Sequence, residues 1–354
     1  MERNSTGKAA QMPRLQDDSY ADYLTAVRNF AIKEWFPNVA QSVAEAAIGA
    51  DLPGAGAECD YDELGAVIDN RADVASWKRL MRSQQQMTWA KCFETYNRDR
   101  EHWEAKLNQA EVDNPGRLHR DPELTVPEYA CQPIHLQPGG YCRDELAGYV
   151  FHHGTRVFYQ GENDNDQHHE LYASLLREPA DGQLNTILDL GCSIGQGTTA
   201  LKARYPDAKV TGIDIGLPLL RYAHLRATDL GIDVNFQHAL AENLPYADNS
   251  QDAVFAFILF HEVPETSFAE IIGEVFRVLR PGGTFTVVDA PNSRAMPAPN
   301  RMWLAFDAKY NCEPYSPAFV ASDFRGGLTA AGFSDIEQQP TPTFLSQTTA
   351  VKPG

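Results

Sequence analysis

Residues 185–197 read NTILDLGCSIGQG. The apolar run Ile187, Leu188 and Leu190, with Asp189 set inside it, predicts a buried parallel strand. Glycines follow at Gly191, Gly195 and Gly197, and residues 198–204 continue as a helix. Glycine tolerates positive φ and lets a ligand lie against bare backbone. A strand, a glycine turn and a helix N-terminus in this order form a crevice for a nucleotide-like ligand. The run 195–200 also fits the dinucleotide pattern G-x-G-x-x-G/A, so the glycines alone do not choose between ligands.

Downstream the rhythm is strand and helix in alternation. Strands are expected at residues 186–190, 209–214, 234–238, 253–259 and 283–289, with helices at 217–230 and 267–279. A Pro- and aromatic-rich insertion occupies 290–317. A helix at 317–331 ending on Gly332, then short strands near 335–338 and 344–350, complete the pattern. This is an α/β fold with a Rossmann-like, doubly wound sheet of seven strands. Upstream, Tyr20, Tyr23, Leu24, Val27, Phe30 and Ala31 recur at helical spacing within 18–50, punctuated by Pro37 and Gly49. Further helices are expected at 61–68 and 72–109, with residues 1–14 a frayed end. Five prolines between 115 and 138 mark a linker. A Tyr-, His- and Gly-rich segment leads into a helix at 166–176. The organisation expected is a helical N-terminal domain at 1–130, a connecting and substrate-capping segment at 131–183, and a ligand-binding domain at 184–354. The N-terminal helices are a candidate lid and a candidate homodimer face; ordinary helix packing accounts for their aromatics equally well.

The net charge of −18 and the lack of a basic stripe exclude nucleic acid as a natural partner. No apolar run is long enough to span a bilayer and the N-terminus has no secretory h-region. Six scattered cysteines without C-x-x-C fit reduced thiols, so a cytoplasmic setting is expected.

The ligand question turns on Asp189. A carboxylate two residues before Gly191 repels a pyrophosphate and attracts an ammonium or sulfonium, as S-adenosylmethionine carries. Asp214, ending the second strand, suits a pair of ribose hydroxyls; a helix N-cap is the competing reading. ILDLGCSIGQG, VTGIDIG, AENLPYADNSQDAVF, LFHEVP and LRPGGTFTVVD, in this order, resemble the class I S-adenosylmethionine-dependent methyltransferases of the UbiE-like small-molecule branch, over residues 184–354. The resemblance implies a methyltransferase that uses S-adenosylmethionine, releases S-adenosylhomocysteine and acts on a small-molecule substrate. It implies that Asp189, Gly191 and Gly195, with Cys192, Ser193 and Gly197 of the same loop, line the methionine end. Asp214 would hold the ribose, Ile215 the adenine face, and Ala241, Glu242 and Asn243 the adenine edge. Phe260 and His261 would close the site below the methyl group, and the turn at 280–283 would be scaffold. The chain departs from the family at Leu240, where an acid often receives the adenine amine; a backbone carbonyl or Glu242 must serve instead.

Methyl transfer needs alignment and, for a weak nucleophile, a base. His261, beyond a buried strand, is the candidate base or a residue that only shapes the pocket; Glu262 beside it reads as structural. In this branch the segment upstream of the cofactor domain packs over the cofactor, which places Tyr159 at the methionine end and Tyr141 or His153 facing the substrate, with ordinary packing the alternative for each. No metal is expected: His152, His153, Asp164, Asp166, His168 and His169 show no ligand spacing, nor do Cys131, His135 and Cys142. An S or O acceptor is favoured. The rival readings are an NAD-dependent oxidoreductase using Gly195 and Gly197, and a non-catalytic interaction protein of the same fold.

Overall fold

The N-terminal periodicity takes shape as α1 (Leu15–Asn29) and α2 (Phe36–Gly49), joined through a π-helical stretch, Phe30–Trp35. Pro37 does not end the helix. It sits in the first turn of α2, where its missing N–H is not needed, and the wider π turns before it absorb the displaced hydrogen bonds. α3 (Tyr61–Ile68) begins with a capping box between Asp60 and Glu63. The long helix expected next is two, α4 (Ala72–Asn97) and α5 (Arg100–Asp113), because Asp99 leaves helical geometry. Within the linker, β1 (Leu118–His119) forms a short strand that proline content concealed. The computed structural model describes residues 11–114, 117–293 and 295–354. The frayed end lies outside the described residues as far as residue 10, and so do Pro115 and Gly116 of the linker; Met12 is buried.

The chain continues through α6 (Ala147–Phe158), α7 (Gln167–Ala173), β2 (Thr186–Leu190), α8 (Gln196–Arg204), β3 (Lys209–Asp214), α9 (Leu217–Leu230), β4 (Asn235–His238) and β5 (Gln251–Phe257). It closes with α10 (Glu265–Val278), β6 (Leu279–Asp289), α11 (Ala298–Tyr310), α12 (Ser316–Ala321), α13 (Phe324–Ala330), β7 (Ser334–Pro340) and β8 (Ser346–Val351). The single helix expected at 317–331 is broken where the Asp323 side chain accepts from Gly326 N at 2.9 Å. The sheet order is β1-β4-β3-β2-β5-β6-β8-β7. It holds the seven expected strands plus the two-residue edge β1. Strand pairs from β1 to β6 are parallel; β8 runs antiparallel to both neighbours.

Alternation along β2 sorts its side chains. Leu188 and Leu190 face α10, α12 and α13 in one core; Ile187 faces α7, α8 and α9 in the other. Each large apolar side chain so buried contributes roughly 1.5–3 kcal/mol. Two further cores come from the N-terminal half. Trp89, Tyr96, Trp103 and Tyr149 pack on Tyr222 of α9; Val39, Val43, Trp77 and Met81 pack on Met302 and Phe306 of α11. The helices therefore seat on the sheet domain and on the insertion at 290–317. α6 is wedged between them. A Cβ added at Gly154 would lie 1.9 Å from Trp89.

Candidate active site

The chain runs from β2 through β3 to β4 on one side and then crosses back to β5 on the other side of β2, which opens a crevice at the strand C-termini. A cavity of about 880 Å³ begins there and extends between α1, α6, α11 and the connector. Asp189, Gly191, Cys192, Ser193, Gly197, Asp214, Ile215, Ala241 and Glu242 line its sheet end. The turn after β2 runs through positive φ at Gly191 and Ser193, which presents backbone to the crevice. Asp189 accepts from Thr198 Oγ1 at 2.6 Å, and burial pushes its carboxyl up to about 7. Asp214 accepts from Ser193 N at 2.8 Å and Gly216 N at 2.7 Å, and burial raises it to about 6.

Among the described residues, neither acid has a cationic partner, and the buried Ser193 hydroxyl has no hydrogen-bond partner. A buried Asp189, a half-buried Asp214, neither with a cationic partner among the described residues, and an orphan hydroxyl fit a cationic ligand that carries polar groups. They do not fit a pyrophosphate. At the adenine edge Glu242 is engaged: Tyr129 Oη donates to its Oε1 at 2.5 Å.

Four expected site residues lie elsewhere. Gly195 caps α8 with its Cα hydrogen toward Phe236 and Ala223, where a Cβ would come within 2.8 Å of the ring; its role is packing. Phe260 is fully buried among Phe268, Phe319 and Phe324. Asn243 closes an isolated bridge with Leu240 and is not among the cavity-lining residues. His153 stacks near Tyr96 in the helical core, and burial holds its imidazole down at about 3. The helical face that puts Phe151, Thr155 and Phe158 in the cavity turns His153 away. Tyr141 and Tyr159 do line the cavity.

His261 lines it too, and its surroundings were not legible beforehand. Its Nδ1 lies 2.5 Å from Asp289 Oδ1, at the end of β6. Asp289 is fixed in turn by Phe260 N at 2.9 Å and Ala290 N at 2.6 Å. A carboxylate here accepts only, so Nδ1 carries the proton and Nε2 is the other face of the ring. Burial lowers the imidazole's affinity for a proton, but Asp289, with Glu262 and Glu313 adding to it, lifts it to about 9. Glu262, expected to be structural, is a hub: its Oε1 is 3.9 Å from His261 Nε2, 3.5 Å from His135 Nε2 and 3.5 Å from Tyr141 Oη. His135 Nδ1 lies 2.8 Å from Glu313 Oε1. Burial opposes its charge, yet Glu313 and Glu262 together raise it to about 10. Just before the histidine turn, Ile258 is held at φ 53, a costly conformation for a β-branched residue that bends the chain out of β5 into the site.

The turn at 280–283 is scaffold, as expected. Arg280 Nε reaches Asp252 at 2.5 Å, and Asp252 accepts from the backbone of Asn185 and Thr186 at the start of β2. Among the described residues no group of three or more His, Cys, Asp or Glu is arranged to hold a metal, and no helix is long and apolar enough to cross a membrane.

Fold and donor set define a Rossmann-like α/β protein whose acid-lined crevice fits a cationic adenosyl ligand. The profile described as "Methyltransferase domain" matches residues 187–283. The chain is 32% identical over 179 residues to the ubiquinone/menaquinone biosynthesis C-methyltransferase UbiE of Desulfotalea psychrophila, covering 45% of this chain and 68% of that one. It is 30% identical over 240 residues to O-methyltransferase cnsE of Penicillium expansum, covering 64% and 80%. It is 37% identical over 105 residues to demethylmenaquinone methyltransferase of Thermus thermophilus, covering 30% of this chain and 47%, about half, of that relative. The chain belongs to the class I S-adenosylmethionine-dependent methyltransferases, and S-adenosylmethionine is its cofactor.

Proposed function

We propose that this methyltransferase acts on a hydroxyl group of a largely apolar small molecule, with His261 as general base. The observation that carries this reading is the His261–Asp289 pair, set at 2.5 Å on the wall of the cavity. A thiol ionises near neutral pH and needs little help; a hydroxyl does, and a histidine oriented by a buried carboxylate supplies it. Asp189 and Asp214 would hold S-adenosylmethionine, which when bound would supply an electrophilic methyl group on sulfur. His261 Nε2 receives the acceptor's proton, while Nδ1 keeps its hydrogen bond to Asp289. Tyr159 and Tyr141, which line the cavity, would help to position the acceptor and shield it from water. Ile32, Phe36, Phe158 and Trp303 give the far walls their apolar character. The relatives named for O-methyl transfer, cnsE and the fatty-acid O-methyltransferase of Mycolicibacterium smegmatis, agree with this acceptor.

The reading includes a cytoplasmic setting, supported by six free cysteines, and self-association through α1 and α2, supported by exposed Leu15, Tyr23 and Ile48. It keeps the division into a helical lid at 1–130, a capping connector at 131–183 and a cofactor domain at 184–354. The test compares S-adenosylhomocysteine release with 2-naphthol and with 2-naphthalenethiol. Turnover of the naphthol that is lost in His261→Gln supports the reading. Turnover of the thiol alone, or of the naphthol at the same rate in the variant, contradicts it.

A further inference from the structure

Arg28, on α1, lines the same cavity and is 4% exposed. Its guanidinium lies 4.4 Å from the centre of the Phe158 ring. One terminal nitrogen, Nη1, donates to the side-chain carbonyls of Gln84 at 3.2 Å and Gln85 at 3.1 Å. Those amides are themselves oriented: Gln84 Nε2 donates to Thr88 Oγ1 at 3.0 Å, and Gln85 Nε2 to the His135 carbonyl at 3.1 Å. The amide carbonyls are thereby turned to the cation. Among the described residues the second terminal nitrogen has no hydrogen-bond partner. Nε is buried without a hydrogen-bond partner. Among the described residues no carboxylate makes an ion pair with Arg28.

A buried cation held by neutral carbonyls and one aromatic ring, with no ion pair, is poorly compensated. Asp307 and Glu313 lie near enough for their fields to act on the guanidinium, but both are committed elsewhere. Glu313 is paired with His135. Asp307 accepts from Asn311 Nδ2 at 2.6 Å, and burial beside Glu313 raises its carboxyl to about 7. Contacts run from His261 to Glu262, from Glu262 to His135, from His135 to Phe158 at 5.1 Å between rings, and from Phe158 to Arg28. Arg28 thus stands several side chains from the transfer point, at the helical end of one continuous cavity.

We propose that Arg28 is a specificity-determining residue that binds a carboxylate of the methyl acceptor, at the end opposite the hydroxyl that receives the methyl group. The inference rests on the reading of the cavity as an acceptor chamber. An acceptor with a hydroxyl at one end, an apolar body and a carboxylate at the other would satisfy His261, the aromatic walls and the open guanidinium together. Contact through the second terminal nitrogen would give the carboxylate a charge-assisted hydrogen bond.

The probes are 6-hydroxy-2-naphthoate and its amide, 6-hydroxy-2-naphthamide, titrated calorimetrically into the full chain saturated with S-adenosylhomocysteine. The expected result is that the naphthoate binds at least about tenfold more tightly, the scale of a charge-assisted hydrogen bond. Arg28→Gln removes that preference and Arg28→Lys restores part of it, with S-adenosylhomocysteine affinity unchanged in both. Equal binding of the two probes by the unmodified chain, binding of neither, or a preference that persists in Arg28→Gln overturns the proposal. The comparison in the unmodified chain stands even if a variant fails to fold. Failure to bind S-adenosylhomocysteine at all would instead remove the underlying reading.

Discussion

At the residue scale, the decisive contacts are between groups far apart in sequence. His261 stood out because it follows a buried strand, yet its partner Asp289 is 28 residues on, and the pairing of His135 with Glu313 spans the connector and the insertion. Sequence spacing carries no trace of such pairs. Asp189, Gly191 and Asp214 were legible because local geometry, strand then tight turn, dictates their placement. Gly195 and Phe260 were misplaced for the converse reason: a motif position names a segment, and packing decides which way each residue of it points. Removing the imidazole in His261→Gln is expected to lower kcat by roughly 10²–10⁴ while leaving S-adenosylhomocysteine affinity intact in calorimetry. Since Asp289 lifts His261 to about 9, the neutral base accumulates only as pH rises. The kcat/KM profile should therefore climb through that region, and Asp289→Asn should move its acid limb toward neutral pH. A flat profile between pH 6 and 10 would be inconsistent with His261 as base. Asp214→Ala is expected to weaken cofactor binding by about 1.5–3 kcal/mol, the worth of hydrogen bonds to a charged group.

At the element scale, the N-terminal helices and the insertion are held to the sheet by a few buried devices. Asp166, ahead of α7, pairs with the fully buried Arg226 of α9 and accepts from Gln196 Nε2 at 2.7 Å. Its backbone is left-handed and its side chain caps no helix N–H; its carboxylate ties the connector to two helices. Arg226→Met strands that carboxylate and is expected to cost about 3–5 kcal/mol in denaturant unfolding. Gly154→Ala, against Trp89, is expected to cost about 1–3 kcal/mol by overpacking. The His135 bridge has a pH signature. Its folded-state proton affinity is raised from 6.5 to about 10, so its stabilisation is complete below pH 6.5 and is lost as pH rises through 10. Scanning calorimetry should show a steeper fall in Tm between pH 7 and 10.5 for the unmodified chain than for His135→Gln. The element boundaries that sequence misjudged, at Pro37, Asp99 and Asp323, are places where one helix gives way to another without losing its apolar rhythm.

At the scale of the whole molecule, a sheet that positions two acids faces a helical part that supplies Arg28 and a connector that supplies His135, Tyr141 and Tyr159 to the same cavity. Alternation of strands and helices made the sheet legible. The helical half carried only periodicity, which predicts helices without saying where they dock; that depended on Tyr222 and Phe306 as landing points. The central claim is that the acid-lined crevice holds a cationic adenosyl ligand. Titration calorimetry of the purified chain with S-adenosylmethionine, S-adenosylhomocysteine and NAD tests it most directly. Saturable binding of both adenosyl ligands with none of NAD is the predicted result; binding of NAD alone, or of none of the three, would contradict it.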